Sequence, residues 1–271
     1  MGKKIVFEFF LLVLSFGLLW LGLSQLPFFS KKISDDIAIE KEEQLGELLL
    51  KTFLYNHQEI HNSSLDSSIH IIHSRLLSTL DSSEYEYQIR VIDNEEINAF
   101  ALPGGNIVVF SGLIQFSDSP EEVAAVLAHE IGHIENKHII GKLIKELGVG
   151  ILVAVIGGKE STVLKEIGMT ALSTVFDRKQ ESEADDFAMN LLVKSNINPR
   201  VIATFFRRLS REKGEFNKNL ELLMTHPHNS SRIKSALEFS LPKDFEEKKL
   251  EVQNWEELKN SLHSSLKKKD N

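Results

Sequence analysis

The sequence predicts an α+β fold: a mainly helical body with a small β-sheet next to one capped helix, behind a single N-terminal transmembrane helix. Three observations predict it. An apolar run near the N-terminus is long enough to cross a bilayer. A short central stretch alternates apolar and polar residues with period two, and most other apolar residues recur with helical spacing.

The N-terminal run begins after Lys3 and Lys4 and extends from Ile5 to Phe29, interrupted only by Glu8, two serines and Gln25. Phe9 to Phe29 supplies about twenty residues, the length a bilayer-spanning helix requires. A cleaved secretory signal is the competing reading. The run is long for the apolar core of a signal, and no small-residue cleavage site follows it. Lys31 and Lys32 balance the lysines in front, so flanking charge does not orient the helix. Signal-like architecture alone places the rest of the chain outside the cytoplasm, on the periplasmic side. The expected organisation is an anchor or signal segment over 1–30, one domain over 31–245, and a charged C-terminal helix and tail over 246–271.

Asp35 to Tyr55 and Leu65 to Leu80 carry helical apolar spacing. The period then changes: Tyr85, Tyr87, Ile89 and Val91 alternate with polar residues, which predicts a strand. Two more strands are expected at Ile97–Leu102 and Ile107–Phe110, on either side of Pro103-Gly104-Gly105-Asn106. Ser119-Pro120-Glu121-Glu122 reads as a capping box with proline at the first helical position. Asn198-Pro199 opens another helix that Gly214 is expected to end, and further helices follow Pro227 and surround Trp255.

Composition removes several classes of function. Acidic residues outnumber basic ones 39 to 31, for a net charge of -8, and no basic stripe suits a phosphate backbone. Nucleic acid is therefore not an expected partner. The chain has no cysteine, which removes disulfides, thiolate metal sites, a nucleophilic Cys and a lipid-modified Cys together.

The chemistry is concentrated in His129-Glu130-Ile131-Gly132-His133. Histidines at i and i+4 stand on one helix face, so both imidazoles reach a single ion, and Zn2+ is the metal this set suits. Glu130 is rotated by about 100 degrees from His129. From there it is poorly placed as a ligand but well placed to take a proton from a water activated by the metal. A catalytic zinc needs a third protein ligand. In metzincins this is a His six residues past the second one, where the present chain has Ile139. A gluzincin takes a Glu from a second helix, and Asp177-Arg178-Lys179-Gln180-Glu181-Ser182-Glu183-Ala184-Asp185 supplies Glu181. Glu181 and Asp185 share a face, Ala184 and Ala188 allow close helix approach, and Glu183 points about 160 degrees away from Glu181.

At this point the sequence resembles the M48 zinc peptidases, a family that includes bacterial envelope and mitochondrial inner-membrane proteases. The resemblance is carried by Asn98-Ala99-Phe100-Ala101-Leu102-Pro103-Gly104-Gly105, by His129 to His133, by Arg178 to Asp185, and by Thr225-His226-Pro227. These pieces span about Tyr85 to Leu237. The resemblance implies a zincin-like metallopeptidase domain with Glu181 as a ligand and Asp185 orienting a ligand histidine. It also implies unfolded or misassembled proteins as substrates. Some family members place a loop histidine over the metal. Three readings of His226 stay open: stabilising an oxyanion, closing the fourth metal position, or a purely structural role. Arg232 either binds a substrate carbonyl or pairs with an acid.

The strand before the metal helix offers an edge at Asn98 and Phe100 where a peptide can add main chain to main chain. The same residues serve equally as core. His57-Gln58-Glu59-Ile60-His61 places its Glu opposite both histidines and does not read as a metal site. His70, His73 and His263 lack catalytic context, and His138 reads as packing or as support for a ligand. Val149 to Ile156 is too short to span a bilayer and reads as buried helix, or else as a mobile flap or membrane-contacting segment near the cleft. Two classes of function follow: a membrane-anchored zinc endopeptidase, or a chaperone-like binding protein with a latent zinc site. An aminopeptidase lacks an acidic cluster for the substrate amine. Oligomeric state is not readable.

Overall fold

The computed structural model describes residues 2–24, 37–80, 83–148, 152, 175–211, 222, 225–226, 229–252 and 254–267. Helices α1 (Gly2–Ser24), α2 (Ile39–Leu54) and α3 (Ser63–Leu77) precede strands β1 (Gln88–Ile92), β2 (Ala99–Ala101) and β3 (Asn106–Phe110). Then follow α4 (Ser111–Phe116), α5 (Pro120–Glu135), α6 (His138–Leu147), α7 (Arg178–Lys194), α8 (Arg200–Arg211), α9 (Asn229–Glu238) and α10 (Trp255–Lys267). The result is mainly helical with one small sheet, as the apolar periods predict.

Helix α5 organises the rest. Every residue from Glu122 to Ile134 is buried, so it is a core helix with no solvent face. On one side lies the sheet, in the order β1-β3-β2, with β3 parallel to β1 and antiparallel to β2. The central strand reads Asn-Ile-Val-Val-Phe and is buried throughout, as a strand covered on both faces should be. A tight turn at Pro103–Gly105 delivers the chain from β2 to β3. Its Gly104 and Gly105 have φ of 73° and 87°, a region that disfavours any side chain.

Two local features differ from the expectation. Tyr85 and Tyr87 precede β1 and do not belong to it. Pairing starts at Gln88 opposite Asn106, the first residue of β3, so the tyrosines have no strand to pair with. Their hydroxyls donate to Glu42 at 3.0 Å and Glu135 at 2.6 Å. The capping box expected at Ser119 is also absent: its side chain makes no cap hydrogen bond. The buried Glu122 carboxylate is held by Arg208 and accepts from the Asp118 N–H at 2.8 Å, so it does not fold back onto Ser119. A complete capping box instead opens α7, between Asp177 and Gln180.

Helix α7 crosses α5 at very close range. A Cβ added at Gly132 would lie 2.9 Å from the Ala184 carbonyl oxygen and 3.1 Å from its Cα. Ala184 and Ala188 are both fully buried, so the small residues on α7 meet the glycine inside the metal motif. The C-terminal segment packs against the same core through Leu250, Trp255, Leu258 and Leu262, and Trp255 Nε1–H donates to Ser117 O at 3.2 Å.

In α1 the apolar side chains Val6, Phe7 and Phe9 to Leu14 are exposed, as are Phe16, Leu18 and Leu19. Among the described residues no helix is long and apolar enough to cross a membrane. The run read as a span continues from Gln25 to Phe29, which lie outside the described residues. So do Gly214, the side chain of His263, and Val149 to Ile156 apart from the buried Leu152.

Gly132→Val is expected to destabilise the protein by about 1–3 kcal/mol through overpacking against the α7 backbone. Urea unfolding of the full chain in detergent would measure it.

Candidate metal centre

His129 and His133 stand one turn apart on α5 and bring their Nε2 atoms to 3.1 Å. Helix α7 presents Glu181 across them. Its Oε2 is 3.6 Å from His129 Nε2 and its Oε1 is 3.4 Å from His133 Nε2. His226 completes the group, with Nδ1 2.9 Å from Glu181 Oε1 and 3.3 Å from His129 Nε2. One donor atom from each of the four lies within 4.8 Å of the others, and all four residues are buried.

The protonation pattern follows from the neighbours. Burial lowers the His129 pKa to about 4, with the Arg232 charge adding to the effect, so the ring is neutral. His129 Nδ1 lies 2.9 Å from Asp185 Oδ1. Burial favours protonation of Asp185, but Arg232 and His129 outweigh it and hold this carboxyl below the usual carboxylate range. An ionised carboxylate only accepts, so a proton on Nδ1 and a lone pair on Nε2 match the Asp185 contact, while Arg232 Nη2 also lies 2.9 Å from Nδ1.

His129 Nε2 faces Glu181 Oε2, a buried acceptor with no hydrogen bond, whose ion-pair partner Arg232 Nη1 stands 3.6 Å away. Burial works to raise the Glu181 carboxyl. The charge of His226 overcomes it, with the close contacts to His133 and His226 adding to the effect, and holds the group well below its ordinary value. Acceptors aimed at acceptors in a dry site call for a cation between them. Four N and O ligands about 2.0–2.1 Å from a tetrahedral zinc stand roughly 3.3–3.4 Å apart. The closest contacts among them, from 2.9 to 3.6 Å, bracket that spacing within a group whose donor atoms all lie within 4.8 Å of one another. The donor set therefore fits zinc.

Glu130 leaves α5 on a different azimuth and faces the sheet. Its Oε2 accepts the Ala101 N–H at 2.9 Å. Its Oε1 has no hydrogen-bond partner and sits 3.5 Å from His226 Nε2. Burial pushes its pKa up to about 7, with the His226 charge partly opposing. His226 moves the other way from most buried imidazoles: burial lowers it, but Glu130 and Glu181 together raise it above its ordinary value.

Arg232 lies buried beneath the site, 4% exposed, and pairs with an acid. Its Nε donates to Asp185 Oδ1 at 2.9 Å and Oδ2 at 3.0 Å, while its guanidinium covers the Phe206 ring at 4.1 Å. It braces the carboxylate that braces His129.

The edge strand is placed differently from the expectation at Asn98 and Phe100. Asn98 O accepts from Phe110 N and Leu102 N donates to Asn106 O, so these residues turn their backbone groups toward β3. Alternation turns Ala99 and Ala101 outward. The Phe100 ring packs edge-on against Phe53 and Phe110 in the core. Leu222 N donates to Ile97 O at 3.3 Å, so the segment carrying His226 also lies against the approach to this edge.

One contact had no signal in the sequence, and another gives His138 the supporting place that is one of its two readings. Phe176 stacks on His133 with ring centroids 3.9 Å apart. His138 Nδ1 reaches His133 Nδ1 at 3.0 Å, and its Nε2 reaches Glu183 at 3.2 Å. Phe176 stands two residues before a helix start, and His138 is five residues past a ligand, off its helical face.

The profile of peptidase family M48 matches residues 63–240. The beta-barrel assembly-enhancing protease of Yersinia pestis is 28% identical over 224 residues, 78% of this chain and 46% of that protein. The mitochondrial metalloendopeptidase OMA1 of Schizosaccharomyces pombe is 28% identical over 217 residues, 78% and 61% of the two chains. Metalloprotease LoiP of Escherichia coli is 29% identical over 178 residues, 63% and 69%. The chain spans about half the length of the beta-barrel assembly-enhancing relatives it matches.

Arg232→Met leaves Asp185 buried without its cation and is expected to cost about 3–5 kcal/mol of stability. Adding Asp185→Asn should recover part of that loss in the same chemical denaturation experiment.

Proposed function

The chain belongs to peptidase family M48, and on that basis we propose that it is a zinc-dependent endopeptidase. In this reading His129, His133 and Glu181 hold the metal and Glu130 is the general base. The observation that carries it is the buried Glu130 Oε1, unpartnered beside a two-histidine, one-carboxylate cluster. A site that only held a metal would have no use for such a base.

When bound, zinc supplies a Lewis acid that acidifies a water and polarises a carbonyl. The chain's own groups supply the rest. Ala101 N–H fixes one oxygen of Glu130, which leaves the other to accept a proton from the attacking water and pass it to the departing amine. Asp185, clamped by Arg232, fixes the His129 tautomer. A substrate strand would pair with the outward backbone of Ala99 and Ala101. Such contacts read main chain more than side chains, which suits cleavage of unfolded or misassembled proteins.

A latent resting state belongs to the same reading. His226 takes the fourth corner of the ligand set, and Leu222 of the same segment bonds beside the substrate edge. Catalysis requires that segment to move away. This observation equally favours the second reading, a chaperone-like or binding protein whose zinc site stays closed. The exposed apolar surface of α1 supports a membrane anchor. The beta-barrel assembly-enhancing relatives support a role in envelope protein quality control.

The test is zinc content and casein cleavage by the full chain in detergent. Wild type and Glu130→Gln are both expected to hold near-stoichiometric zinc, with cleavage reduced by about 10²–10⁴-fold in the variant. His226→Ala is expected to cleave faster than wild type. Zinc in all three with no cleavage by any would favour the binding protein, and no zinc in wild type would overturn the metal reading.

A further inference from the structure

The two ligand histidines are supported by unlike devices. His129 has a carboxylate directly on Nδ1, whereas His133 has another imidazole there. Helix α5 ends at Glu135, and Lys137 adopts a left-handed conformation with φ of 54°. That reversal starts α6 at His138 and folds it back under His133, a position that no continuous helix gives to the fifth residue onward. His138 is 5% exposed and His133 fully buried, so the contact between them is dry.

The proton order along this contact has one solution. Glu183 accepts, so His138 carries hydrogen on the Nε2 that lies 3.2 Å from Glu183 Oε2. Neutral His138 then has a lone pair on Nδ1. The His133 Nδ1, 3.0 Å away, must be the donor, and its Nε2 is left as a lone pair facing the cluster. Lys179 holds the far end in place, 3.2 Å from the other Glu183 oxygen.

We propose that His138 and Glu183 are positioning residues for the metal site, a two-step relay in which Glu183 fixes the tautomer of His138 and His138 fixes that of His133. The inference rests on the reading of His133 as a metal ligand. It gives a defined role to Glu183, on the side of α7 turned away from Glu181. Glu183 supports the second ligand as Asp185 supports the first. A carboxylate on a ligand histidine is a common arrangement, and here one imidazole is inserted between them.

The experiment is a competitive zinc titration of the full chain in detergent against a chromophoric chelator, comparing wild type with His138→Phe, Glu183→Ala, the double variant and Glu183→Gln. Each of the first two is expected to weaken zinc binding by about 10–100-fold, the range for such supporting groups. The double variant should be no weaker than His138→Phe alone, because the relay fails at either link. Glu183→Gln should stay near wild type, since its amide oxygen still accepts from His138 Nε2–H. Thermal melting of the metal-free proteins checks folding; if His138→Phe does not fold, the partly exposed Glu183 variants carry the comparison. Wild-type affinity in Glu183→Ala, additive losses, or a Glu183→Gln as weak as Glu183→Ala would overturn the relay. Failure of wild type itself to bind zinc is a separate result, and it would remove the metal reading along with the relay.

Discussion

Between α5 and α7, two imidazole nitrogens and a carboxylate converge in a buried space. His129 Nε2 and His133 Nε2 stand 3.1 Å apart, and the Nδ1 of each contacts a supporting group, Asp185 and Arg232 for one ring and His138 for the other. Ring nitrogens at that distance, beside a Glu181 Oε2 that has no hydrogen bond, favour a positive charge among them. Much of the surrounding architecture supports this one arrangement. The glycine between the two histidines lets α7 approach, Asp185 with Arg232 and His138 with Glu183 contact the two rings, and His226 lies on the remaining side.

The burial of so many ionisable groups explains their pairing. Charges taken out of water are tolerated only with partners and satisfied hydrogen bonds. Asp185 is therefore matched by Arg232, and Arg232 is covered by Phe206. Glu130, like Glu181, is incompletely satisfied: one oxygen is bonded to the edge strand and the other has no hydrogen bond, with His226 Nε2 3.5 Å away. An unsatisfied oxygen is a cost to stability that a structural residue would not impose, and it stands where the proposed chemistry requires a base. The sheet thus contributes to the site in two ways, by anchoring Glu130 and by turning the backbone of Ala99 and Ala101 outward.

In the proposed latent state, Leu222 and His226 tie the two halves of the site together. One residue reaches the ligand cluster and the other the carbonyl of Ile97, so a single displacement would open the metal corner and the strand edge together. A device of this kind suits a peptidase that must not cleave indiscriminately, and it explains why a histidine is buried against two carboxylates in a loop.

The parts of the site that depend on local geometry are legible in the sequence alone. The i, i+4 spacing of His129 and His133, the azimuth of Glu130 and the shared face of Glu181 and Asp185 are properties of an isolated helix, and they persist here. Helical and strand periods likewise reveal the mainly helical body and the position of the small sheet. What depends on contacts between elements is not legible. Tyr85 and Tyr87 alternate like strand residues, but β3 begins too late to pair with them. Ser119 and Glu122 spell a capping box, but Arg208, 86 residues further on, takes the carboxylate. Asn98 and Phe100 read as the substrate edge, yet which backbone groups face outward is fixed by register with β3. His138 reaches His133 only because Lys137 reverses the chain, and one left-handed residue leaves no periodic trace in a sequence. Local spacing places side chains on their own element, and only packing between elements decides which of them meet.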